Sequence, residues 1–114
     1  MDKDVKQQWL TGLRSGQYSQ CQGELKDNEG ANCCLGVLLE SQGWEFSTAI
    51  RNPHPDVCYY TSPEGFCNDE ENELTVHTRD EFSLTRKQEV HLMNMNDKED
   101  KDFIQIADWI EDHL

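Results

Sequence analysis

The sequence is poor in basic residues. Ten lysines and arginines stand against 23 aspartates and glutamates, which gives a formal net charge of −13. Residues 1–67 hold nine acidic and five basic residues (net −4), and residues 68–114 hold fourteen and five (net −9). A field of this sign repels phosphate backbones, so it disfavours direct binding to DNA or RNA. It attracts a basic surface on another protein.

Long apolar runs are also missing. No segment approaches the roughly 20 apolar residues of a membrane-spanning helix, and the charged start "MDKDVKQQWL" has no apolar signal region. We therefore expect a cytoplasmic protein without membrane contacts. Its five cysteines, an odd number, are expected to stay reduced there, so a disulfide framework is disfavoured.

No pair of cysteines has the close spacing of a structural zinc site, in which two ligands are held within one turn. The remaining metal alternative combines His54, Cys58 and Cys67, with Cys21 or His77 as a fourth ligand. Because this pattern is sparse, we expect no metal and no cofactor.

The N-terminal segment has the spacing of an amphipathic helix. Asp4 and Gln7 form a predicted capping box at its start, and Gly16 is a suitable C-terminal stop. The predicted inward residues are Val5, Trp9, Leu10 and Leu13.

Two further helices are predicted at the C-terminal end. The first begins with a capping box of Thr85 and Gln88, and the second begins near Asp100 and Asp102, where acids complement the helix dipole. The short link "NDKED" predicts that the two helices form an αα-hairpin. The predicted inward residues are Val90, Leu92 and Met93 or Met95 on the first helix, and Phe103, Ile106, Ala107 and Ile110, with Trp109, on the second.

The middle of the chain favours short strands. Val57–Thr61 and Leu74–Thr78 contain β-branched and aromatic residues between turn signals, and a third strand is expected near Phe66. We predict an α+β fold, with residues 1–114 forming a single domain. Three to four helices (N-terminal, central and the C-terminal αα-hairpin) pack on a small antiparallel sheet.

The most distinctive segment is "NCCLGVLLE". Residues 31–41 are predicted to form a buried central helix, because the segment is apolar around most of its circumference. Gly36 lowers helix stability by about 1 kcal/mol relative to alanine, which indicates a close backbone approach. Gly43 is the expected cap, and Trp44 is expected to anchor the segment that follows.

A cysteine nucleophile is the catalytic alternative. Cys33 or Cys34 would lie near a helix N-terminus, and His77 would act as the base. "NCCLGV" weakly resembles the Asp-Cys-Ser-Gly start of the catalytic helix in papain-like cell-wall amidases. However, the Gly-His-Val-Gly pattern of that family is missing, and Leu35 takes its glycine position. Since buried cysteines usually serve packing, we expect no enzyme, with a papain-like cysteine hydrolase as the third option.

Three segments together resemble a widespread family of short, mostly uncharacterised proteins of tailed phages. They are "QQWLTGLRSGQYSQCQGEL", "NCCLGVLLESQGW" and "LMNMNDKEDKDFIQIADWIEDHL". The resemblance implies a phage genome as the source and leaves the activity open. The matching residues are Trp9, Leu13, Arg14, Ser15, Gly16, Tyr18, Gln20, Gly23, Leu25, residues 33–38, Asn96, Asp97, Phe103, Ile106, Ala107, Asp108, Ile110 and Glu111.

Two binding functions follow as expectations. The first is a phage accessory protein that inhibits a basic, nucleic-acid-handling or defence protein of the host, with Tyr59, Tyr60 or Phe66 as an anchor. The alternative is a sponge for a nucleotide-like signal, in which Arg14, Gly16, Tyr18 and Gly23 hold the ligand. The predicted partner-binding acids are Asp69, Glu70, Glu71, Glu73, Asp80, Glu81, Asp97, Glu99, Asp100 and Asp102.

Overall fold

Five helices and a three-stranded antiparallel sheet make up the part of the chain that the structure, a computed structural model, describes: residues 1–47 and 58–114. This arrangement confirms the predicted α+β class. The helices are α1 (Lys3–Arg14), α2 (Cys34–Ser41), α3 (Val76–Glu81), α4 (Arg86–Asp97) and α5 (Phe103–His113). The strands are β1 (Glu45–Phe46), β2 (Tyr60–Thr61) and β3 (Cys67–Asn68).

The helices from both ends of the chain enclose α2. Helix α1 packs against α2 and α5, and α4 packs against α2 and α5. Trp9 is fully buried, and its indole N–H donates to the backbone oxygen of Cys34 at 2.9 Å. Full burial of a large apolar side chain stabilises the fold by about 3 kcal/mol, so this contact fixes α1 firmly on the central helix.

The caps of α1 and α5 follow from short polar side chains. Asp2 caps α1, because its carboxylate accepts from the backbone N–H groups of Asp4 and Val5. The predicted capping box of Asp4 and Gln7 is therefore wrong, and the true cap lies two residues earlier. At α5, Asp102 forms a capping box with Gln105.

Helices α4 and α5 form the predicted αα-hairpin, and the capping box of Thr85 and Gln88 is confirmed. Leu92 and Met95 are buried as expected. Val90, by contrast, is exposed, so its predicted inward orientation is wrong. The neighbouring side chain, Glu89, turns inward instead.

Glu89 is completely buried and fully satisfied. Its carboxylate accepts from Arg79 (3.0 Å), from Arg86 (2.7 Å) and from the backbone N–H of Leu74 (2.7 Å). Because a buried charge is tolerated only when it is paired and hydrogen-bonded, this carboxylate sets the rotation of α4. It thereby leaves Val90 on the outside.

Helix α2 begins at Cys34, three residues later than predicted. Asn32 forms isolated bridges with Gln20 and Lys26, and the N–H of Cys33 donates to the backbone oxygen of Leu25. Residues 31–33 are therefore held in extended backbone by the preceding loop. A Cβ at Gly36 would overlap the backbone oxygen of Leu25, which confirms the predicted close approach. Gly43 follows the helix with φ +81°, and Trp44 is buried.

The sheet has the order β1-β2-β3, with Phe46 opposite Tyr60 and Tyr60 opposite Asn68. The predicted strand near Phe66 is β3. Within the predicted strand Val57–Thr61, only Tyr60–Thr61 is a strand, and Val57 lies outside the described residues.

The predicted strand Leu74–Thr78 is wrong. Thr75 caps α3, because its hydroxyl accepts from the backbone N–H of Thr78. The cap satisfies a free N–H at the start of the helix, and it outweighs the β preference of the threonines and Val76. The side chain of Val76 is 63% exposed, so no buried sheet face is available to reward a strand here.

Two of the five cysteines are oxidised. Cys58 and Cys67 form a disulfide, whereas Cys21, Cys33 and Cys34 are free and buried. The expectation of reduced cysteines is therefore wrong for this pair, which the fold brings together because Cys67 lies on β3 and Cys58 just precedes its neighbour β2. Among the described residues, no helix combines the length and apolar character needed to cross a membrane.

Candidate acidic binding face

The adjacent cysteines are part of the core. Cys33 is 5% exposed and Cys34 is fully buried. Burial raises the pKa of the Cys33 thiol to about 12 and that of Cys34 well above its usual value. Nucleophilic attack requires a thiolate, so both side chains are held in the unreactive form.

His77 does not complete a catalytic pair with them. It lies on α3 with an exposed side chain, and its ring contacts Phe66 at a centroid distance of 4.9 Å. Cys34 instead places its sulfur 3.7 Å from the backbone oxygen of Leu92. None of the contacts found among the described residues joins His77 to Cys33 or Cys34.

The motif residues around the cysteines meet in one buried hydrogen-bond network. Asn96 is 1% exposed, and its Oδ1 accepts from the backbone N–H of Cys34 (3.2 Å) and from Gln20 (2.9 Å). Its Nδ2 donates to the backbone oxygen of Cys21 and to the Asp97 carboxylate, each at 2.8 Å. Both polar atoms of the Asn96 side chain therefore make hydrogen bonds within the fold.

The residues of the nucleotide-sponge alternative serve the fold. Arg14 donates to Asp108 (2.9 Å) and Glu111 (2.8 Å), and these hydrogen bonds raise its pKa. Gly16 has φ +77° where the chain leaves α1. The half-buried ring of Tyr18 faces Gly12, and the backbone N–H of Gly23 donates to Asp97 at 3.1 Å. One nitrogen of the Arg14 guanidinium is therefore already paired with two carboxylates.

Two of the cysteines predicted as metal ligands are oxidised, so they cannot supply thiolates. Cys58 and Cys67 are joined to each other, and His54 lies outside the described residues. Within residues 1–47 and 58–114, no cluster of three or more His, Cys, Asp or Glu side chains could hold a metal ion.

Hydrogen bonds hold three separate acidic segments of the chain next to one another. The backbone N–H of Leu25 donates to the oxygen of Glu71 at 3.0 Å, which joins the loop at residues 20–31 to the loop at residues 69–73. The bond from Gly23 to Asp97 joins the first loop to the α4–α5 turn. We use the name acidic face for the following acidic side chains of these three segments: Glu24, Asp27, Glu29, Asp69, Glu70, Glu71, Asp97, Glu99, Asp100 and Asp102.

The centre of the acidic face shows mutual repulsion. Burial and the carboxylates of Glu71 and Asp27 raise the pKa of Glu24. An acid surrounded by like charge is less stable in its ionised form. A cation from a partner would relieve that repulsion.

Three of the ten predicted contact acids are already engaged. Glu73 pairs with Arg86 at 2.8 Å, Asp97 accepts from Gly23 and Asn96, and Asp102 caps α5. The other seven are exposed, and within the described ranges their carboxylates have neither an ion pair nor a hydrogen bond: Asp69, Glu70, Glu71, Asp80, Glu81, Glu99 and Asp100. Asp80 and Glu81 lie on α3, beside the acidic face as we define it.

Sequence reasoning missed Glu24, Asp27 and Glu29. They lie in the segment "GELKDNEG", at least 40 positions from the acids of the second loop. Only the backbone bond from Leu25 to Glu71 shows that the two loops are neighbours, and a single sequence contains no signal for it.

The predicted aromatic anchors differ in exposure. Tyr60 is fully buried, and its hydroxyl donates to Glu40 at 2.7 Å, so it cannot anchor a partner. Tyr59 is partly exposed, and Phe66 is 46% exposed. Phe66, three residues before Asp69, is therefore the best-placed apolar side chain beside the acidic face.

Comparisons with known proteins give one finding. Searches of curated proteins and of solved structures found no significant match. A family model matches the whole chain, residues 1–114, and its description is "Domain of unknown function". The chain therefore belongs to the family of the domain of unknown function DUF8296.

Proposed function

We propose that this chain is a non-enzymatic binding protein that docks its acidic face on a basic surface of a partner protein. The observation that carries the proposal is the meeting of three acidic segments through the bonds Leu25–Glu71 and Gly23–Asp97. The resemblance to tailed-phage proteins supports a phage accessory protein acting in the host cytoplasm. Its partner would be a host protein that handles nucleic acid or serves defence.

The charges favour a protein over other partners. A net charge of −13 repels nucleic acid, whereas the basic groove of a nucleic-acid-handling protein presents the complementary potential. Spaced carboxylates without intramolecular partners can occupy the positions of phosphates. Binding by such a face is fast and salt-sensitive, since charges more than about 8 Å apart are screened at physiological ionic strength.

An apolar anchor adds short-range affinity. Phe66 and Val76 are exposed by 46% and 63%, and the ring of Phe66 contacts that of His77, the residue that follows Val76. Asp80 lies one helical turn beyond Val76. An exposed apolar centre with a charged rim is the usual composition of a transient interface.

The test is affinity capture from a bacterial host lysate at about 0.05 M and 0.5 M salt, with the captured protein identified by mass spectrometry and then purified for titration. The test variant carries Glu24→Gln, Glu70→Gln and Glu71→Gln. The control carries Asp4→Asn, Glu45→Gln and Asp112→Asn, which lie outside the acidic face. Both variants change the net charge from −13 to −10.

We expect one basic protein to be captured at low salt and lost at high salt. The test variant should bind it at least about tenfold more weakly, and the control should bind it like the wild type. Equal weakening in both variants would show a general charge effect and contradict the acidic face. Binding that is unchanged by salt would contradict the proposal as a whole.

A further inference from the structure

A groove of about 380 Å³ lies between α4 and α5, in a part of the molecule that takes no part in the acidic face. Its size falls in the range of small-ligand sites. Val90 and the half-buried Trp109 supply the apolar part of its wall. The complete lining is Lys87, Gln88, Val90, His91, Asn94 and Trp109.

The position of these residues on α4 explains the groove. Lys87, Val90, His91 and Asn94 are spaced at i, i+3, i+4 and i+7, which places them on one helix face. Because Glu89 turns into the core, this face points outward. Trp109 from α5 closes the opposite side.

The aromatic wall is held in place by its neighbours. The ring of Trp109 contacts His91 and His113, each at a centroid distance of 4.6 Å. The backbone oxygen of Trp109 accepts a hydrogen bond from Nδ1 of His113 at 2.8 Å. The indole is therefore positioned before any ligand arrives, which lowers the entropy cost of binding.

The polar side chains of the groove include one ammonium and no carboxylate. Within the described ranges, the Lys87 ammonium and the Asn94 amide have no ion pair or side-chain hydrogen bond, and Gln88 uses only its Oε1, as part of the α4 cap. No lining residue is acidic, although acids outnumber bases by more than two to one in the chain. The groove is a donor-rich, apolar recess in an otherwise anionic protein.

We propose that this groove binds a small planar aromatic monoanion, of the chemical class of the aromatic carboxylates. The ring of the ligand packs on Val90 and Trp109, and the carboxylate accepts from Lys87 and Asn94. One ammonium group matches one negative charge, and no acidic residue lines the groove. Acids more than about 8 Å away are screened at physiological ionic strength. This site is independent of the proposed partner and of its charge.

The experiment titrates two probes into the full-length, isotope-labelled protein and follows backbone amide shifts by NMR. The probes are indole-3-carboxylate and its neutral counterpart indole-3-carboxamide. We expect saturable shifts at residues 87–94 and 109 with the carboxylate, with a dissociation constant on the order of 1 mM for a ligand of this size. The carboxamide should bind at least about fivefold more weakly.

Matched variants locate the site. Val90→Glu places a carboxylate in the groove, whereas Ile104→Glu makes the same change at an exposed apolar position of α5 outside it. We expect the first to abolish carboxylate binding and the second to leave it unchanged. Lys87→Gln should weaken binding about fivefold, and Lys98→Gln, at the end of α4, should not weaken it.

Three outcomes would overturn the inference. The first is the absence of saturable shifts for the carboxylate up to about 10 mM, tenfold above the expected constant. The second is equal affinity for both probes, which would mean an apolar contact without anion recognition. The third is wild-type affinity in both Val90→Glu and Lys87→Gln, which would place the probe elsewhere. A failure to capture a partner protein with the acidic face would change none of these three outcomes.

Discussion

The side-chain amide of Asn96 joins α4 to the N-terminus of α2 and to the loop that precedes α2. Its Oδ1 accepts from the backbone N–H of Cys34 at 3.2 Å, and its Nδ2 donates to the backbone oxygen of Cys21 at 2.8 Å. The partners lie 62 and 75 positions away along the chain. One buried side chain therefore satisfies backbone groups of two distant segments. The free N–H groups at the start of a helix usually bond to the side chain of a nearby capping residue instead.

Replacing Asn96 by alanine is expected to lower the free energy of unfolding by about 3 kcal/mol, because it leaves a buried donor and a buried acceptor without partners. The matched control is Asn94→Ala on the same helix, whose side chain makes no hydrogen bond within the described residues. It should change stability by no more than about 0.5 kcal/mol. Urea denaturation followed by circular dichroism measures both values. Similar stability of the two variants would contradict the bridging role of Asn96.

Gly36→Ala is expected to destabilise the fold by about 3 kcal/mol, since the added Cβ would overlap the backbone oxygen of Leu25 and approach Asn32 Nδ2 to 2.8 Å. Gly12→Ala is the control, because its Cβ would contact side-chain carbons of Val37 and Tyr18 at 3.2 and 3.5 Å. The gain in helix propensity, about 1 kcal/mol, offsets that crowding. Thermal unfolding of both variants tests the difference. A neutral Gly36→Ala would mean that the loop can move away from α2 at little cost.

The buried thiols are expected to make the free energy of unfolding decrease as the pH becomes alkaline. A thiol of the unfolded chain has a pKa of about 8.5, whereas burial raises the pKa of Cys33 to about 12. A folded-state pKa above the unfolded value means that the stabilisation is complete below pH 8.5 and is lost as the pH rises toward 12. We expect the double variant Cys33→Ala, Cys34→Ala to show a shallower decline than the wild type in urea denaturation between pH 8 and 10.

Alkylation provides the kinetic counterpart of this prediction. At neutral pH and without reductant, iodoacetamide should leave Cys21, Cys33 and Cys34 of the folded protein unmodified, because all three are buried. In urea, mass spectrometry should show three added groups. Rapid modification of Cys33 or Cys34 in the folded protein would revive the nucleophile alternative.

Much of the helical part of the fold can be predicted from the sequence, because helix signals are local. The caps at Thr85 and Asp102 and the apolar stripes of α1 and α5 lie within a few positions of one another. Two of the errors arise where a distant contact decides. Glu89 rotates α4 through its bonds to Arg79 and Leu74, and the extended residues 31–33 depend on the loop before them.

The candidate sites were harder to predict, since neither is local. The sequence indicated the acids of the second half, but the loop with Glu24 and Asp27 lies beside them through long-range bonds, from Leu25 to Glu71 and from Gly23 to Asp97. The groove between α4 and α5 depends on the outward face of Val90, which the apolar pattern assigned to the core. Packing of cysteines, in contrast, was predictable because the flanking leucines and Val37 are all apolar.

The packing of α1 against α5 has a consequence for synthesis of the protein. The apolar side of α1, with Trp9 and Leu13, is covered in part by α5 (Phe103–His113), which the ribosome adds after α1–α4. A nascent chain therefore carries an uncovered N-terminal helix until translation of α5 is finished and its residues have left the exit tunnel. Packing of α1 cannot be completed before α5 has been made, so the growing chain is the stage most exposed to aggregation and to chaperones.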